Sequence, residues 1–506
     1  MSSGGAGNRQ AGTGYALAHA RPSVSPDLNL RRLVLPACAA LGLCAAATAD
    51  AQPRTVLPTP VAAVMKKHKL SESGLSVYVQ DVTGQAPLLT VNAQVPRNPA
   101  SVMKLVTTLV ALNELGPAYR FQTDVYVDQP PASGRVSGDL YLKGGGDPFL
   151  VTAAFWRLLK DLRHEGLEHV TGDLVIDGSH FDVPDVYRGD FDGKPHRAYN
   201  VPPHAMLVNF FATRFLFFPD KEHKRVRVVL DPPMATLKLD NTIALTAGRC
   251  SWRKRKLRLD VDRMGPEPRM RVSGTFPEGC GEFQVLRAVA EPGPYVFGAF
   301  KPLWEEMGGR IDGHWRTGTV PATAVRIHRV RSRPLAELIR HMNKFSNNVM
   351  TRNLLLALGA RVYGAPGTLD KGRRAVADWL LLNDVRAPEV RVDNGSGLSR
   401  TGQISALSLV RVLLKSWSMP YMPEFVSSLP LSAMDGTLRK RFRKSDLEGK
   451  LHMKTGLLDG VRTIGGYMHT RSGRVLAVAS LHNGRGVEHG TGTAVQDALM
   501  RWLYEQ

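Results

Sequence analysis

A serine three residues ahead of a lysine, at the start of an apolar helix, narrows the folds open to this chain more than any other stretch. Residues 99–106 read Pro-Ala-Ser-Val-Met-Lys-Leu-Val, and Leu105, Leu109 and Leu112 follow at helical spacing before Gly116-Pro117. That pattern predicts a helix over 100–115 with Ser101 in its first turn. Residues i and i+3 share a helix face, so Lys104 sits beside Ser101. The first N–H groups of a helix lack partners and carry partial positive charge. A serine there has two assets for acyl transfer: a neighbouring amine, and an N–H ready for an oxyanion. The same spacing recurs at Ser251-Trp252-Arg253-Lys254. That copy follows a cysteine in a charge-dense run and opens no apolar helix, so it reads as surface.

Two later segments raise the significance of Ser101. Ser346-Asn347-Asn348 lies between helical runs, and Lys454-Thr455-Gly456 begins a predicted strand, with His452 and Lys450 on the same alternating face. Each piece is common by chance; the three in this order are not. The Ser101 hydroxyl needs a base, and Lys104 is the nearest one. Free lysine has a pKa of about 10.4, so an uncharged amine at pH 7 costs about 4.6 kcal/mol. Burial and a second cation both lower that pKa. Lys454 supplies such a cation and also attracts a substrate carboxylate. Ser346 is placed to relay a proton between either lysine and a leaving amine, and Asn348 to orient Lys104 and the substrate backbone. Thr455 suits a terminal carboxylate. A strand edge after Gly456 would add the Leu457 N–H to that of Ser101 as an oxyanion hole. His341 and His452 flank these segments and read as structural rather than as a Ser-His pair. No H-E-x-x-H or clustered Cys/His pattern calls for a metal, and the chemistry needs no cofactor.

Compartment follows from the N-terminus and the cysteines. Residues 1–30 are rich in Gly, Ser and Ala and carry no fold signal. Arg31-Arg32 precedes an apolar run over 33–47, and Ala49-Asp50-Ala51 precedes Gln52. A basic flank, a short apolar core and an A-x-A site describe a secretory signal peptide, with a natural start downstream of residue 1 accounting for the long preamble. An uncleaved membrane anchor is the alternative, although the run is short for a bilayer. Cys38 and Cys44 lie inside that run. Cys250 and Cys280 would remain after cleavage, as one disulfide or as two buried thiols. The expected location is the periplasm. The formal net charge is +21, which raises nucleic acid as a partner. The basic residues are dispersed, however, and no nucleic-acid fold signature is present. The densest clusters are Arg253-Lys254-Arg255-Lys256 and 326–333. Both read as solvated strand faces, and the charge suits contact with an anionic wall polymer or a membrane surface.

Along the chain, 56–69 predicts a helix, 74–79 and 87–91 two strands, and 100–115 the serine helix. From 121 to 330 short alternating strands are broken by Gly, Pro and Asp: 123–127, 138–143, 172–176 and 226–230. A helix over 151–163 interrupts them, and 263–277 and 292–294 read as irregular connections. Gly144-Gly145-Gly146-Asp147-Pro148 is a tight loop without the Gly-Lys-Ser/Thr of a phosphate cradle. Helices return over 335–343, 348–358, 371–382 and 405–416. Strands over 464–470 and 475–481 and a helix over 493–504 close the chain. The fold class is α+β. Residues 1–51 are preamble and signal peptide. Residues 52–120 with 331–506 form one domain, and 121–330 is a β-rich insertion of one or two domains.

The ordered Ser101-x-x-Lys104, Ser346-x-Asn348 and Lys454-Thr455-Gly456 set resembles that of the penicillin-recognising serine acyltransferases. The long interval between Lys104 and Ser346 resembles the D-alanyl-D-alanine carboxypeptidase/endopeptidase family of low-molecular-mass class C penicillin-binding proteins, which carry a large insertion there. Asp393-Asn394-Gly395-Ser396-Gly397-Leu398-Ser399-Arg400 resembles that family's Asp-Gly-Ser-Gly-Leu-Ser-Arg segment with one extra residue. The run from Gly456 to Tyr467 resembles its strand after Lys-Thr-Gly, and Gly138-Asp139-Leu140 through Asp147-Pro148 the start of its insertion. The likeness covers nearly everything after Gln52. It implies a transpeptidase-like domain, an antiparallel sheet flanked by helices, built from both ends of the chain. It further implies Ser101 as nucleophile, Lys104 as base, and Ser346, Asn348 and Lys454 completing the site. Thr455, Gly456, Leu457 and Arg400 would bind the stem peptide. Asp147 is a candidate for the amine of its third residue, though Asp before Pro is also a turn former. Asn347 stands where aspartate is common. The implied activity is hydrolysis of D-Ala-D-Ala bonds in peptidoglycan stem peptides and cross-links, with β-lactams as covalent inhibitors. A β-lactam or D-amino ester hydrolase, a non-catalytic wall-binding protein and a nucleic-acid binder are the readings it displaces. Oligomeric state is not legible.

Overall fold

The computed structural model describes residues 54–251, 253, 255–263 and 267–506. The signal segment, Cys38 and Cys44, and Trp252 and Lys254 lie outside the described residues. Ala51–Gln506 forms one compact unit. Its organising element is a five-stranded antiparallel sheet in the order Leu451–Leu458, Val461–His469, Val475–Asn483, Leu75–Asp81, Pro87–Val91. The two ends of the chain meet in it, with Leu75 opposite His482 and Asp81 opposite Leu476.

The central strand Val475–Asn483 is buried on both faces, and its alternation assigns each residue a side. Leu476 and Val478 face a core closed by the helices Thr59–Lys67 and Thr491–Tyr504, through Val61, Met65, Val495 and Leu499. Ala477, Ala479 and Leu481 face the other way, into a core shared with the helices Lys104–Leu115, Leu335–Phe345, Asn348–Tyr363, Leu369–Leu382 and Ala406–Trp417. Small residues on that face let the helix Ala406–Trp417 approach the sheet closely.

The intervening segment has a core of its own, running from Val125 to Ile311 and joined by Val349. It holds a five-stranded sheet in the order Trp315–Thr317, Leu174–Asp177, Leu140–Gly144, Gln122–Val127, Val325–Arg331, in which the first two pairings are parallel. It also holds a six-stranded sheet (Lys256–Arg263, Arg269–Gly279, Lys238–Arg249, Arg225–Asp231, Thr213–Asp220, Phe283–Arg287) and a three-stranded one.

Two expectations are corrected here. The stretch 263–277 is largely the strand Arg269–Gly279, whose Pro277 pairs with Thr246 next to a register shift, where a missing N–H is tolerated. Pro292 opens the helix Pro292–Glu306 instead of marking an irregular link, because the first turn of a helix has no use for its N–H groups. The strand carrying Lys454 also begins three residues earlier than expected, at Leu451.

Cys250 and Cys280 form a disulfide across the ends of the paired strands Lys238–Arg249 and Arg269–Gly279, closing a sequence separation of 30. A bond closing a loop of that length restricts the unfolded chain by about 3–4 kcal/mol. Cys250→Ser with Cys280→Ser should therefore lower the thermal midpoint by several degrees, read by circular dichroism. Adding reductant to the wild type should reproduce that shift.

Candidate active site

Ser101 sits on a 3₁₀ turn, Ala100–Met103, that runs into the helix Lys104–Leu115. The turn is held in an unusual shape, since Ala100 has φ +45°. Such a residue persists only where its surroundings over-determine it. Here Asn98 Oδ1 accepts the Ala100 N–H at 2.8 Å, and Asn483 brackets Asn98 through both its backbone N–H and its carbonyl. Thr463 Oγ1 donates to the Pro99 carbonyl at 2.7 Å. Two glycines back directly onto the turn. A Cβ on Gly397, at φ +73°, would lie 1.8 Å from the Ala100 carbonyl oxygen, and one on Gly456 would lie 2.7 Å from the Pro99 carbonyl oxygen. Gly397 is held in turn because Thr107 Oγ1, one helical turn past Met103, donates to the Gly395 carbonyl at 2.8 Å.

Lys104 is fully buried. Its Nζ lies 3.0 Å from Ser101 Oγ, 2.6 Å from Asn348 Oδ1 and 2.5 Å from the Ser396 carbonyl oxygen. Burial pushes its pKa well below the ordinary lysine value, and the Lys454 and Arg352 charges push it further. A neutral amine has two N–H donors and one lone pair. The two acceptors without a proton, Asn348 Oδ1 and the Ser396 carbonyl, take the donors. The lone pair is left facing the one partner that has a proton to give, the Ser101 hydroxyl.

Ser346 and Asn348 come from one helix junction. Ser346 caps the helix Leu335–Phe345 in a left-handed conformation, φ 57° and ψ 40°. Asn347 is the N-cap of the next helix, its side chain accepting the Met350 N–H at 3.0 Å. The middle residue of the triplet therefore does a capping job that asparagine performs as well as aspartate. Asn348 starts that helix and points back to Lys104. Lys454 Nζ donates to Ser346 Oγ at 2.8 Å and to the Thr455 carbonyl at 2.8 Å. Burial lowers its pKa to about 7.

The strand Leu451–Leu458 is the edge of its sheet. Met453 donates its N–H outward to the Pro430 carbonyl, so a period of two puts the Thr455 and Leu457 N–H groups on the same outer edge. Gly456, packed on Pro99 and Ala100, lets that edge lie against the Ser101 turn. Thr455 Oγ1 pairs with Thr437 Oγ1 at 2.8 Å, and Leu457 is exposed.

The peripheral candidates are arranged more loosely. Arg400 reaches Asp459 at 3.4–3.5 Å and lies 4.7 Å over the Phe191 ring, a residue of the intervening segment. Asp147 is buried, and its Oδ1 accepts the Phe149 N–H at 2.8 Å, the turn-forming role. Burial raises its pKa to about 6. Phe149 stacks 4.4 Å from His341 on the helix that ends at Ser346, and His452 sits 6.2 Å from His469. Sequence reasoning passed over Arg352, the Ser396 carbonyl, Thr437 and the Asn98–Asn483 pair. Arg352 had a signal: it lies four residues after Asn348, on the same helix face. The others depend on contacts between distant segments. Among the described residues no group of His, Cys, Asp and Glu could hold a metal ion.

Three comparisons bear on this arrangement. A profile of the D-Ala-D-Ala carboxypeptidase 3 (S13) family matches residues 57–506. The chain is 28% identical over 466 residues to the D-alanyl-D-alanine carboxypeptidase of Actinomadura sp. (strain R39), covering 89% of this chain and 85% of that one. It is 24% identical over 390 residues to the D-alanyl-D-alanine carboxypeptidase DacB of Haemophilus influenzae, covering 76% and 80%. The crystal structure of penicillin binding protein 4 (dacB) from Haemophilus influenzae superposes with a TM-score of 0.73 at 22% identity, over 88% of this chain and 99% of that one. The shared fold is the α+β penicillin-binding-protein type.

Gly397→Ala should displace the Ser101 turn and slow acylation of Ser101 by about 100-fold, the penalty of a misplacement of roughly 1 Å. Stopped-flow acylation measures it, and a rate within twofold of wild type would contradict the packing described. The lysine pKa values predict a pH profile. With Lys104 as the expected base, acylation should fall as pH drops through its lowered pKa. Lys454 loses its charge above about pH 7, so the KM of a carboxylate-bearing acyl donor should rise above that pH, while a donor without a carboxylate shows no such limb.

Proposed function

The chain belongs to the D-Ala-D-Ala carboxypeptidase 3 (S13) family, and on that footing we propose how its own residues carry out the reaction. It is a serine-type D,D-peptidase acting on peptidoglycan. The observation that carries the assignment of roles is the trio of contacts on the buried Lys104 Nζ, which leaves one lone pair directed at Ser101 Oγ.

In this reading Lys104 takes the Ser101 proton as Oγ attacks the carbonyl of the penultimate D-Ala. The Ser101 and Leu457 N–H groups receive the oxyanion. The C–N bond then breaks. The proton passes from Lys104 to the leaving amine by way of Ser346, whose hydroxyl is oriented by Lys454. Water attacks the acyl-enzyme, gives its proton to the neutral Lys104, and releases the stem with Ser101 restored. Lys454, Thr455 and Arg400 supply cations and a hydroxyl for the terminal carboxylate and the stem. Asp147 faces a stem amine only if it leaves its turn with Phe149, so its contribution is to the loop first and the substrate second.

A β-lactam presents a strained amide and a carboxylate in place of the D-Ala-D-Ala end. It would acylate Ser101 and leave slowly, because its leaving group stays tethered. That two Haemophilus influenzae structures of this fold include one complexed with a β-lactam supports the reading. Residues 52–120 with 331–506 would form the catalytic domain and 121–330 the insertion that flanks its cleft. Export by the segment before Gln52 would place the enzyme in the periplasm, where its substrate lies. Among the described residues no helix is long and apolar enough to cross a membrane.

Labelling with a fluorescent penicillin tests the roles. Wild type should carry a long-lived label, Ser101→Ala none, and Lys104→Ala should label at least about 100-fold more slowly. D-Ala release from a pentapeptide stem should follow the same order. A Ser101→Ala protein that still labels, or rapid turnover of the penicillin, would overturn the assignment.

A further inference from the structure

The strand Leu451–Leu458 has a neighbour along its outer edge. The Pro430 carbonyl accepts the Met453 N–H and Leu431 bridges His452, so this neighbour covers the edge up to Met453. The chain then turns back on itself. Asp435 Oδ1 accepts the Leu431 N–H at 2.8 Å, while the Asp435 N–H donates to the Leu431 carbonyl. Asp435 Oδ2 accepts from Lys344 Nζ at 2.6 Å, and the same buried Nζ donates to the Leu429 carbonyl at 2.7 Å. Gly436, at φ +56°, packs on the Lys344 backbone, and a Cβ there would lie 2.7 Å from the Lys344 carbonyl oxygen. Lys344 stands two residues before Ser346 at the same helix end. The short turn Gly436–Leu438 is therefore registered against the Ser346 junction as well as against the strand.

What this clamp delivers is Thr437, an exposed residue whose Oγ1 lies 2.8 Å from Thr455 Oγ1. A bond between two hydroxyls that water can solvate contributes little to folding. Yet a buried lysine, its aspartate and a left-handed glycine all fix the place of this one. The terminal carboxylate of an acyl donor has two oxygens with about four lone-pair sites, and Thr455 has one O–H. Leu457, the next residue on the Thr455 face of the strand, is 52% exposed and has no hydroxyl. A second hydroxyl has to come from off the strand. Two hydroxyl oxygens 2.8 Å apart can each donate to one oxygen of a single carboxylate. Asp435, whose charge would oppose such a ligand, is already paired with Lys344.

We propose that Thr437 is a specificity-determining residue of the reaction, its hydroxyl joining that of Thr455 on the terminal carboxylate of the acyl donor, with Lys344 and Asp435 as the positioning pair behind it. This role rests on the serine-peptidase reading of the cleft and adds a grip that a donor without a terminal carboxylate cannot use. The bond between the two threonines is exchanged for two bonds to the carboxylate, and both hydroxyls are in place beforehand, so little ordering is needed on binding. The carboxylate departs with the D-Ala, so the later attack of water on the acyl-enzyme never meets Thr437.

Steady-state hydrolysis by the full chain of two acyl donors built on the same stem tests this. One ends in D-Ala-D-Ala; the other is a thioester whose leaving group carries no carboxylate. Thr437→Val keeps the shape of the side chain and removes its O–H. It should raise KM for the first donor about tenfold with kcat within twofold of wild type. Both constants for the thioester should stay within twofold, which also reports an intact fold and an intact Ser101–Lys104 pair. Thr437→Ser, which keeps the O–H, should restore the wild-type KM. Three results would overturn the proposal. One is a D-Ala-D-Ala KM within twofold of wild type in Thr437→Val. Another is an equal loss on both donors in that variant, which would make Thr437 a prop for the strand. The third is a Thr437→Ser enzyme no better than Thr437→Val. Failure of the peptidase reading looks different: wild type would hydrolyse neither donor, or Ser101→Ala would still hydrolyse both.

Discussion

A lysine sealed from water has to give up its proton or find acceptors for three N–H bonds. Lys104 has two acceptors without protons and one hydroxyl that can accept or donate, so its hydrogen bonds suit either state and burial favours the amine. The energetic cost of that state is carried by the fold. Burial contributes most, and the two nearby cations add to it. Every other feature of the site follows from this requirement. Asn348 must arrive from one helix junction and the Ser396 carbonyl from a glycine-rich loop. The Ser101 turn must be bent enough to put its hydroxyl, and not a water molecule, on the remaining lone pair.

The pairing of two lysines then separates two tasks that one amine cannot perform together. In the proposed roles Lys104 would work uncharged as a base. Lys454 keeps its charge to near neutrality, pKa about 7, and holds Ser346. A bound carboxylate would raise the Lys454 pKa and strengthen the difference. Arg352, partly buried on the helix that Asn348 opens, reinforces it from behind. It donates to the Val201 carbonyl of the intervening segment. The insertion is thus tied to the electrostatics of the site as well as to its rim, where Phe191 lies over Arg400.

Much of this was legible before any coordinates. The helical run after Ser101, its neighbours over 335–382 and the closing strands and helix follow from periodicity and stop signals, with ends up to five residues from the expected positions, as at Tyr363. The middle of the chain was less readable. Strands such as Lys238–Arg249, alternately polar and only partly buried, have no clean hydrophobic alternation. Prolines at 277 and 292 look like breaks when considered locally. They are tolerated because one pairs beside a register shift and the other sits where a helix needs no N–H. Cys280 was legible as the partner of Cys250, being the only other cysteine after Gln52, but the choice between a disulfide and two buried thiols was not.

The sequence by itself determined which chemistry-bearing groups exist and in what order: a serine one helical turn from a lysine, a Ser-x-Asn, and a Lys-Thr-Gly on a strand. Local spacing suffices for the first pair, because a helix fixes i and i+3 on one face. Tertiary structure alone decided that Asn348, the Ser396 carbonyl and Lys104 meet, that Thr463 and Asn98 pin the Ser101 turn, and that Arg352 faces the same pocket. Those contacts join residues hundreds of positions apart. They depend on the sheet in which Leu75 pairs with His482, and no local propensity encodes a closure of that length.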